Sequence, residues 1–177
     1  MKVTETELPG VLVIEPKVFG DQRGLFVETY NATRYRDSGI TQTFVQDNLS
    51  RSARGVLRGL HYQIKRPQAK LITCLRGKIF DVAVDIRPDS PSYGRWAGAE
   101  LDAITRKQIL VPAGFAHGFC VLEDDTEVLY KCSVEYDPTD EGGISWRCPE
   151  IGVRWPLSEP VLSAKDSAYP PLSGRRT

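Results

Sequence analysis

The chain contains only two histidines, His61 and His117, and the residues around the first define the chemistry open to it. Gln63 follows His61 by two positions and Lys70 by nine. Side chains two apart on a strand face the same way, so His61 and Gln63 share a face if this stretch is extended. A neutral imidazole, with an unperturbed pKa of about 6.5, can take a proton acidified by a neighbouring ketone, and an ammonium can hold the enolate oxygen that forms. Inverting a carbon also needs an acid on the opposite face, because a proton returned to the same face restores the starting configuration. In the run Glu127–Tyr136, Tyr130 and Tyr136 share one parity with Val128, Cys132 and Val134. Either phenol suits that role on parity alone, and aromatic strand residues commonly serve only to pack a core.

The elements that must position these groups are short. Apolar or alternating runs recur between turn signals at Val11–Val18, Gly24–Tyr30, Phe44–Ser50, Gly55–Ile64, Lys70–Leu75, Lys78–Ile86, Ile109–Pro112, Phe119–Leu122 and Glu127–Tyr136. Many short strands punctuated by Gly and Pro predict an antiparallel sandwich or barrel. Within Lys78–Ile86, Phe80, Val82, Val84 and Ile86 share one face, read as core, and Asp81, Ala83 and Asp85 share the other. Asp81 and Asp85 read most simply as solvated or structural carboxylates. Leu75-Arg76-Gly77-Lys78 reads as the tight turn of a hairpin, with Gly77 available for positive φ. The one helix expected in the first half is Asn31–Ser38, with Asn31 as N-cap and Gly39 as its stop. The tail, with Pro170-Pro171 and Gly174-Arg175-Arg176-Thr177, is expected to fray.

Pro112-Ala113-Gly114-Phe115-Ala116-His117 has the Pro-x-Gly-x-x-His form that resembles the second cupin motif. The first cupin motif ordinarily offers His-x-His, then Glu, then Gly seven positions later; here the comparable residues are His61, Gln63, Lys70 and Gly77. An ammonium has no lone pair while protonated, so Lys70 opposes a divalent ion where a carboxylate would bind one. With two histidines in the whole chain, the usual three-histidine metal set is also out of reach. The expectation is a jelly-roll barrel without a metal.

Together these stretches resemble the dTDP-4-dehydrorhamnose 3,5-epimerase family along nearly the whole chain. The resemblance is carried by Pro16-Lys17-Val18-Phe19-Gly20-Asp21-Gln22-Arg23-Gly24, Phe44-Val45-Gln46-Asp47-Asn48, Val56-Leu57-Arg58-Gly59-Leu60-His61-Tyr62-Gln63, Phe80–Arg87, Pro112–Phe119 and Leu162-Ser163-Ala164-Lys165-Asp166. It implies an all-β cupin jelly-roll barrel of antiparallel strands with few short helices, spanning 1–177 as one domain, and a homodimer with a partly shared nucleotide site. It implies epimerisation of dTDP-4-dehydro-6-deoxy-D-glucose at C3 and C5 to dTDP-4-dehydro-L-rhamnose, on the route to dTDP-L-rhamnose, without a cofactor.

Carried onto this sequence, the resemblance makes His61 the base, Tyr130 the acid, Lys70 the enolate cation and Asp166 the carboxylate that orients His61. Asp81 stays open as an alternative partner for His61. Arg23, Glu28, Gln46, Asn48, Arg58, His117, Glu141 and Lys165 match positions that hold the nucleotide and sugar, and Tyr136 matches an aromatic that stacks on thymine. Arginines suit a diphosphate because a guanidinium donates to two oxygens at once. Two placements carry conditions. Arg58 lies three residues before His61 and would face away on a regular strand, so a bulge or bend near Gly55 or Gly59 is required if both enter the site. Lys165 and Asp166 reach the site only if the C-terminal segment folds back.

Composition narrows the rivals. At 177 residues the chain can bury roughly 70% of its unfolded surface around one core. Lys plus Arg and Asp plus Glu both count 23, so no global field draws the chain to nucleic acid or a membrane. The N-terminus lacks the apolar core of a signal peptide, no apolar run nears the roughly 20 residues of a membrane span, and Cys74, Cys120, Cys132 and Cys148 are too scattered for a disulfide framework. A cytoplasmic protein with buried thiols is the expectation. The rivals are a mono-epimerase acting at C3 or C5 alone, or a ketoisomerase, on the same substrate for an antibiotic sugar. More distant ones are a catalytically silent sugar-nucleotide-binding cupin and a metal-bound dioxygenase.

Overall fold

The computed structural model describes residues 1–176. Thirteen strands account for most of the regular structure: β1 (Lys2–Glu5), β2 (Leu12–Glu15), β3 (Val18–Asp21), β4 (Gly24–Val27), β5 (Gln46–Ser52), β6 (Leu57–Gln63), β7 (Lys70–Arg76), β8 (Lys78–Asp85), β9 (Trp96–Asp102), β10 (Gln108–Val111), β11 (Phe115–Val121), β12 (Thr126–Cys132) and β13 (Glu141–Gly143). Helices α1 (Ala32–Asp37) and α2 (Ala164–Ser167) and one 3₁₀ turn (Leu172–Gly174) complete it. The strands form a six-stranded sheet in the order β1-β2-β10-β7-β12-β5 and a five-stranded sheet in the order β13-β6-β11-β8-β9, while β3 and β4 pair only with each other. Every strand pairing is antiparallel. This is the jelly-roll architecture that the turn-punctuated runs predict.

The two sheets face each other across a core that draws on both, with Ile72, Ile109 and Val128 from the larger sheet and Ile79, Leu101, Phe115 and Val121 from the smaller. Two further apolar layers cover the outer faces. Tyr35 of α1 packs with Ile14, Leu71 and Leu110 on the larger sheet, and Ile144, Cys148, Ile151 and Leu172 cover the smaller one. Both faces of each sheet are therefore buried along much of their length, which is why the strands read as apolar runs as often as alternations.

Two details of the sequence reading change. Phe80, Val82, Val84 and Ile86 point outward, under the C-terminal covering layer, while Ala83 faces the space between the sheets. Asp81 and Asp85, on that second parity, are fully buried rather than solvated. The Gly77 turn joins no hairpin: β7 lies in the larger sheet and β8 in the smaller, so the chain turns a corner between them. Gly77 has φ +74, and a Cβ there would come within 2.1 Å of Thr126 Oγ1. A single-residue corner against a neighbouring side chain leaves room only for glycine.

The first helix keeps its expected cap, with Asn31 accepting from Arg34 N at 3.1 Å and Gly39 following at φ +88. The tail is packed instead of frayed through residue 176. Leu172 is buried, Tyr62 Oη donates to Arg176 O at 2.7 Å, and the Arg175 guanidinium lies over the rings of Tyr62 and Tyr93. Thr177, the last residue of that expected fraying, lies outside the described residues. All four cysteines are buried and unpaired with one another.

Candidate active site

Strand parity places the site. On β7, Lys70 shares the inner face with Ile72 and Cys74; on β12, Tyr130 and Cys132 share it with Val128; on β5, Gln46 and Asn48 lie on the same side. Register aligns them, since Cys132 pairs with both Lys70 and Gln46, and Tyr130 with both Ile72 and Asn48. On the facing sheet His61 pairs with His117, and His117 with Ala83. The result is two adjoining cavities of 310 and 260 Å³ that share His61, Lys70 and Tyr130 in their walls. Gln46, Asn48, Tyr136 and Glu141 line the first, and Arg58, His117, Lys165 and Asp166 the second.

Arg58 reaches the cleft by the required bulge. Between the paired residues His117 and Phe119 of β11 there is one intervening position, against two between Arg58 and His61 of β6. The extra residue falls at Gly59–Leu60, where Gly59 has φ +127 and a Cβ would meet Gly118 Cα at 2.6 Å. Its guanidinium donates to Ser52 Oγ from Nε and Nη2, each at 3.1 Å.

The C-terminal segment also folds back. Ser163 caps α2 by accepting from Asp166 N at 3.0 Å, and its hydroxyl donates to Asp166 Oδ2 at 2.8 Å. Asp166 Oδ1 then lies 2.5 Å from His61 Nε2. The open choice of partner is thereby resolved, because Asp81 Oδ2 lies 2.8 Å from His117 Nε2 instead. A carboxylate only accepts, so Nε2 is the donor of each imidazole in these pairs, which leaves Nδ1 as the nitrogen that can exchange a proton. Burial raises the Asp166 carboxyl, but the hydrogen bond and charge of His61, with the Ser163 and Gly59 bonds, outweigh it and hold the group below the usual range.

The ionisable groups opposite differ in kind. No hydrogen bond or ion pair to Lys70 Nζ is found among the described residues, and burial lowers its pKa against the opposing pull of Asp81 and Glu141. Burial raises the Tyr130 phenol, helped by Cys132 and offset in part by Arg58, so it stays a proton donor. Glu141 gathers the cleft's rim by accepting from Lys165 Nζ and Tyr136 Oη, and from Tyr169 Oη at 3.3 Å. Burial raises Glu141, and the bonds from Lys165 and Tyr136 overcome that to leave it lowered. Its bond in turn pushes the Tyr136 phenol up to about 12.

Tyr136 reaches the cleft by a different route from the one its parity suggested. β12 ends at Cys132, and Tyr136 lies on the loop beyond, held by Gln46 Oε1, which accepts from its backbone N at 2.8 Å. Arg23 and Glu28 do not line either cavity. Arg23 sits on the β3–β4 hairpin paired with Asp21 at 2.5 Å, and Glu28 accepts from Arg34 at 3.0 Å. The contributors that escaped sequence reasoning include Ser163, Tyr169, whose ring stands edge-on to His61 with centroids 5.7 Å apart, and Phe119. Ser163 had a signal, since Ser-x-x-Asp marks a capped helix start; the other two had none. Among the described residues no group of three or more His, Cys, Asp or Glu side chains is placed to hold a metal ion.

With base, cation and phenol around one cleft, the arrangement can remove a proton beside a carbonyl and return one from the other wall. The family described as dTDP-4-dehydrorhamnose 3,5-epimerase matches residues 5–174. The chain is 50% identical over 175 residues to the dTDP-4-dehydrorhamnose 3,5-epimerase of Salmonella typhimurium, covering 97% of this chain and 96% of that protein. It is 51% identical over 168 residues to the enzyme of the same name from Pseudomonas aeruginosa, covering 94% and 93%. Among solved structures, the dTDP-6-deoxy-D-glucose-3,5-epimerase of Legionella pneumophila, in complex with dTDP-4-keto-L-rhamnose, superposes with a TM-score of 0.94 at 46% identity, covering 97% of this chain and 93% of that one.

Proposed function

From a chain that belongs to the dTDP-4-dehydrorhamnose 3,5-epimerase family, we propose an enzyme that inverts C3 and C5 of dTDP-4-dehydro-6-deoxy-D-glucose to give dTDP-4-dehydro-L-rhamnose. The observation that carries this reading is the opposition of His61, on the smaller sheet, to Tyr130 and Lys70, on the larger, across one cleft.

The steps follow from that opposition. His61 Nδ1 takes the proton from C3, the C4 oxygen gains the negative charge, and the Lys70 ammonium holds it in a site shielded from water. Asp166 keeps the imidazole in the tautomer that leaves Nδ1 free and steadies the imidazolium once formed. Tyr130 delivers a proton to the opposite face of the same carbon. Once the His61 imidazolium has released its proton to solvent and the Tyr130 phenolate has taken one up, the cycle repeats at C5, which the same ketone acidifies. No cofactor enters this scheme.

Gln46, Asn48, Arg58, His117, Glu141 and Lys165 would hold the nucleotide and sugar, with Tyr136 stacked on the base. We further propose that Arg23 and Glu28 act in the cleft of a second copy. Both lie outside the two cavities of their own chain's cleft, and the β3–β4 hairpin bearing Arg23 exposes Phe19, Leu25 and Phe26, the last at 70%. Such a patch calls for a partner surface. The described residues include no helix long and apolar enough to cross a membrane, and we place the enzyme in the cytoplasm, with residues 1–177 acting as one domain. The test is His61→Ala, which is expected to abolish turnover; full activity in that variant would remove the base from the scheme.

A further inference from the structure

Gln63 occupies the position where a metal-binding barrel would carry its second imidazole, and the scheme above leaves it without a task. It is 5% exposed and lies in the cavity wall. Its carboxamide is nevertheless turned to the chain itself. Oε1 accepts from Asp137 N at 2.9 Å, and Nε2 donates to Asp137 O at 3.1 Å. One planar amide thus binds both backbone groups of one residue, as the opposing residue of an antiparallel ladder would.

Asp137 follows Tyr136, and the two peptides are clasped from opposite sheets. Gln46 of β5 takes the Tyr136 N–H, and Gln63 of β6 takes the Asp137 N–H and carbonyl. The Tyr136 phenol is anchored at its far end by Glu141. A loop residue 46% exposed is thereby fixed at backbone and tip, although β12 ended four residues earlier.

We propose that Gln63 is a positioning residue for nucleotide affinity: it fixes the Tyr136 ring in place to stack on the base, and takes no part in proton transfer. This rests on the reading of Tyr136 as the stacking ring. Only a carboxamide serves, because the site needs a donor and an acceptor side by side in one plane. Glutamate at this position would set a carboxylate oxygen against the Asp137 carbonyl, and methionine would fill the space with neither bond.

The experiment measures thymidine 5′-diphosphate binding by titration calorimetry, and steady-state kinetics, on Gln63→Met, Gln63→Glu, Tyr136→Ala and the double variant Gln63→Met/Tyr136→Ala. We expect Gln63→Met to raise both Kd and KM by about tenfold, the scale of a lost buried hydrogen bond or two, with kcat within about twofold. Gln63→Glu keeps the side-chain shape and is expected to lose at least as much. The double variant should bind no more weakly than Tyr136→Ala alone, since Gln63 acts through that ring. Wild-type affinity in Gln63→Met, a fall in kcat at unchanged KM, or losses that add in the double variant would each overturn the proposal while leaving the epimerase reading standing. A wild-type protein that neither binds the diphosphate nor turns over would overturn both.

Discussion

Asp166 Oδ1 sits 2.5 Å from His61 Nε2, although 105 residues separate them in the chain. The pairing makes the base dependent on a four-residue helix, α2, whose cap Ser163 also holds the carboxylate. Asp166→Asn keeps the shape but offers an amide that can favour the other tautomer, placing the proton on Nδ1. We predict that kcat falls on the order of 10³-fold with KM nearly unchanged, as steady-state kinetics would report.

Tyr130→Phe separates the two half-reactions. His61 can still take a proton and return one from solvent to the same face, so exchange at the sugar should persist while inverted product falls by about 10²-fold or more. Mass spectrometry of recovered substrate in heavy water, alongside product stereochemistry, distinguishes this from a general loss of folding.

Lys70→Met should abolish most turnover yet raise the melting temperature. Burial disfavours the ammonium and lowers its folded pKa below the ordinary value of 10.5. Between the folded and unfolded values the unfolded chain binds more protons, so stability rises with pH through that window. Below it the destabilisation is fully present, and methionine removes it. The same lowered pKa predicts that kcat/KM of the wild type falls on its alkaline limb before the ordinary lysine range. A melting scan of both proteins from pH 6 to 10 would check the sign, the gap between them narrowing as the pH climbs.

Gly59→Ala tests the bulge. A Cβ there meets Gly118 Cα at 2.6 Å, backbone against backbone, at a φ of +127. We predict a loss of about 2 kcal/mol or more in denaturant unfolding. Any folded fraction should bind the diphosphate weakly because Arg58 is displaced.

The strand content was legible because period-two patterning survives in short strands, whereas His61 and Lys70 were picked out by the cupin-motif spacing and Tyr130 by the family resemblance. What escaped was set by long-range contacts. The Gly77 corner reads locally as a hairpin turn, since sheet membership is decided by partners far along the chain. Phe80, Val82 and Val84 do face a buried apolar layer, as read; what the local pattern could not show is that the C-terminal segment buries this outer face as thoroughly as the core buries the inner one, where Asp81 and Asp85 lie. Edge strands β1, β9 and β13 were missed, the last because Gly142 and Gly143 are depleted in strands yet required there, where a Cβ would meet the rings of Tyr62 and Tyr169 at 2.4 and 2.3 Å. Tyr136 was assigned the right neighbourhood by a parity that its strand does not extend far enough to impose.

The most direct test of the central claim is incubation with dTDP-4-dehydro-6-deoxy-D-glucose in heavy water, followed by NMR of the sugar. Enolisation toward both neighbours of the ketone predicts deuterium at C3 and at C5, with both centres inverted. Deuterium at one carbon alone, or at neither, would contradict double epimerisation by His61 and Tyr130.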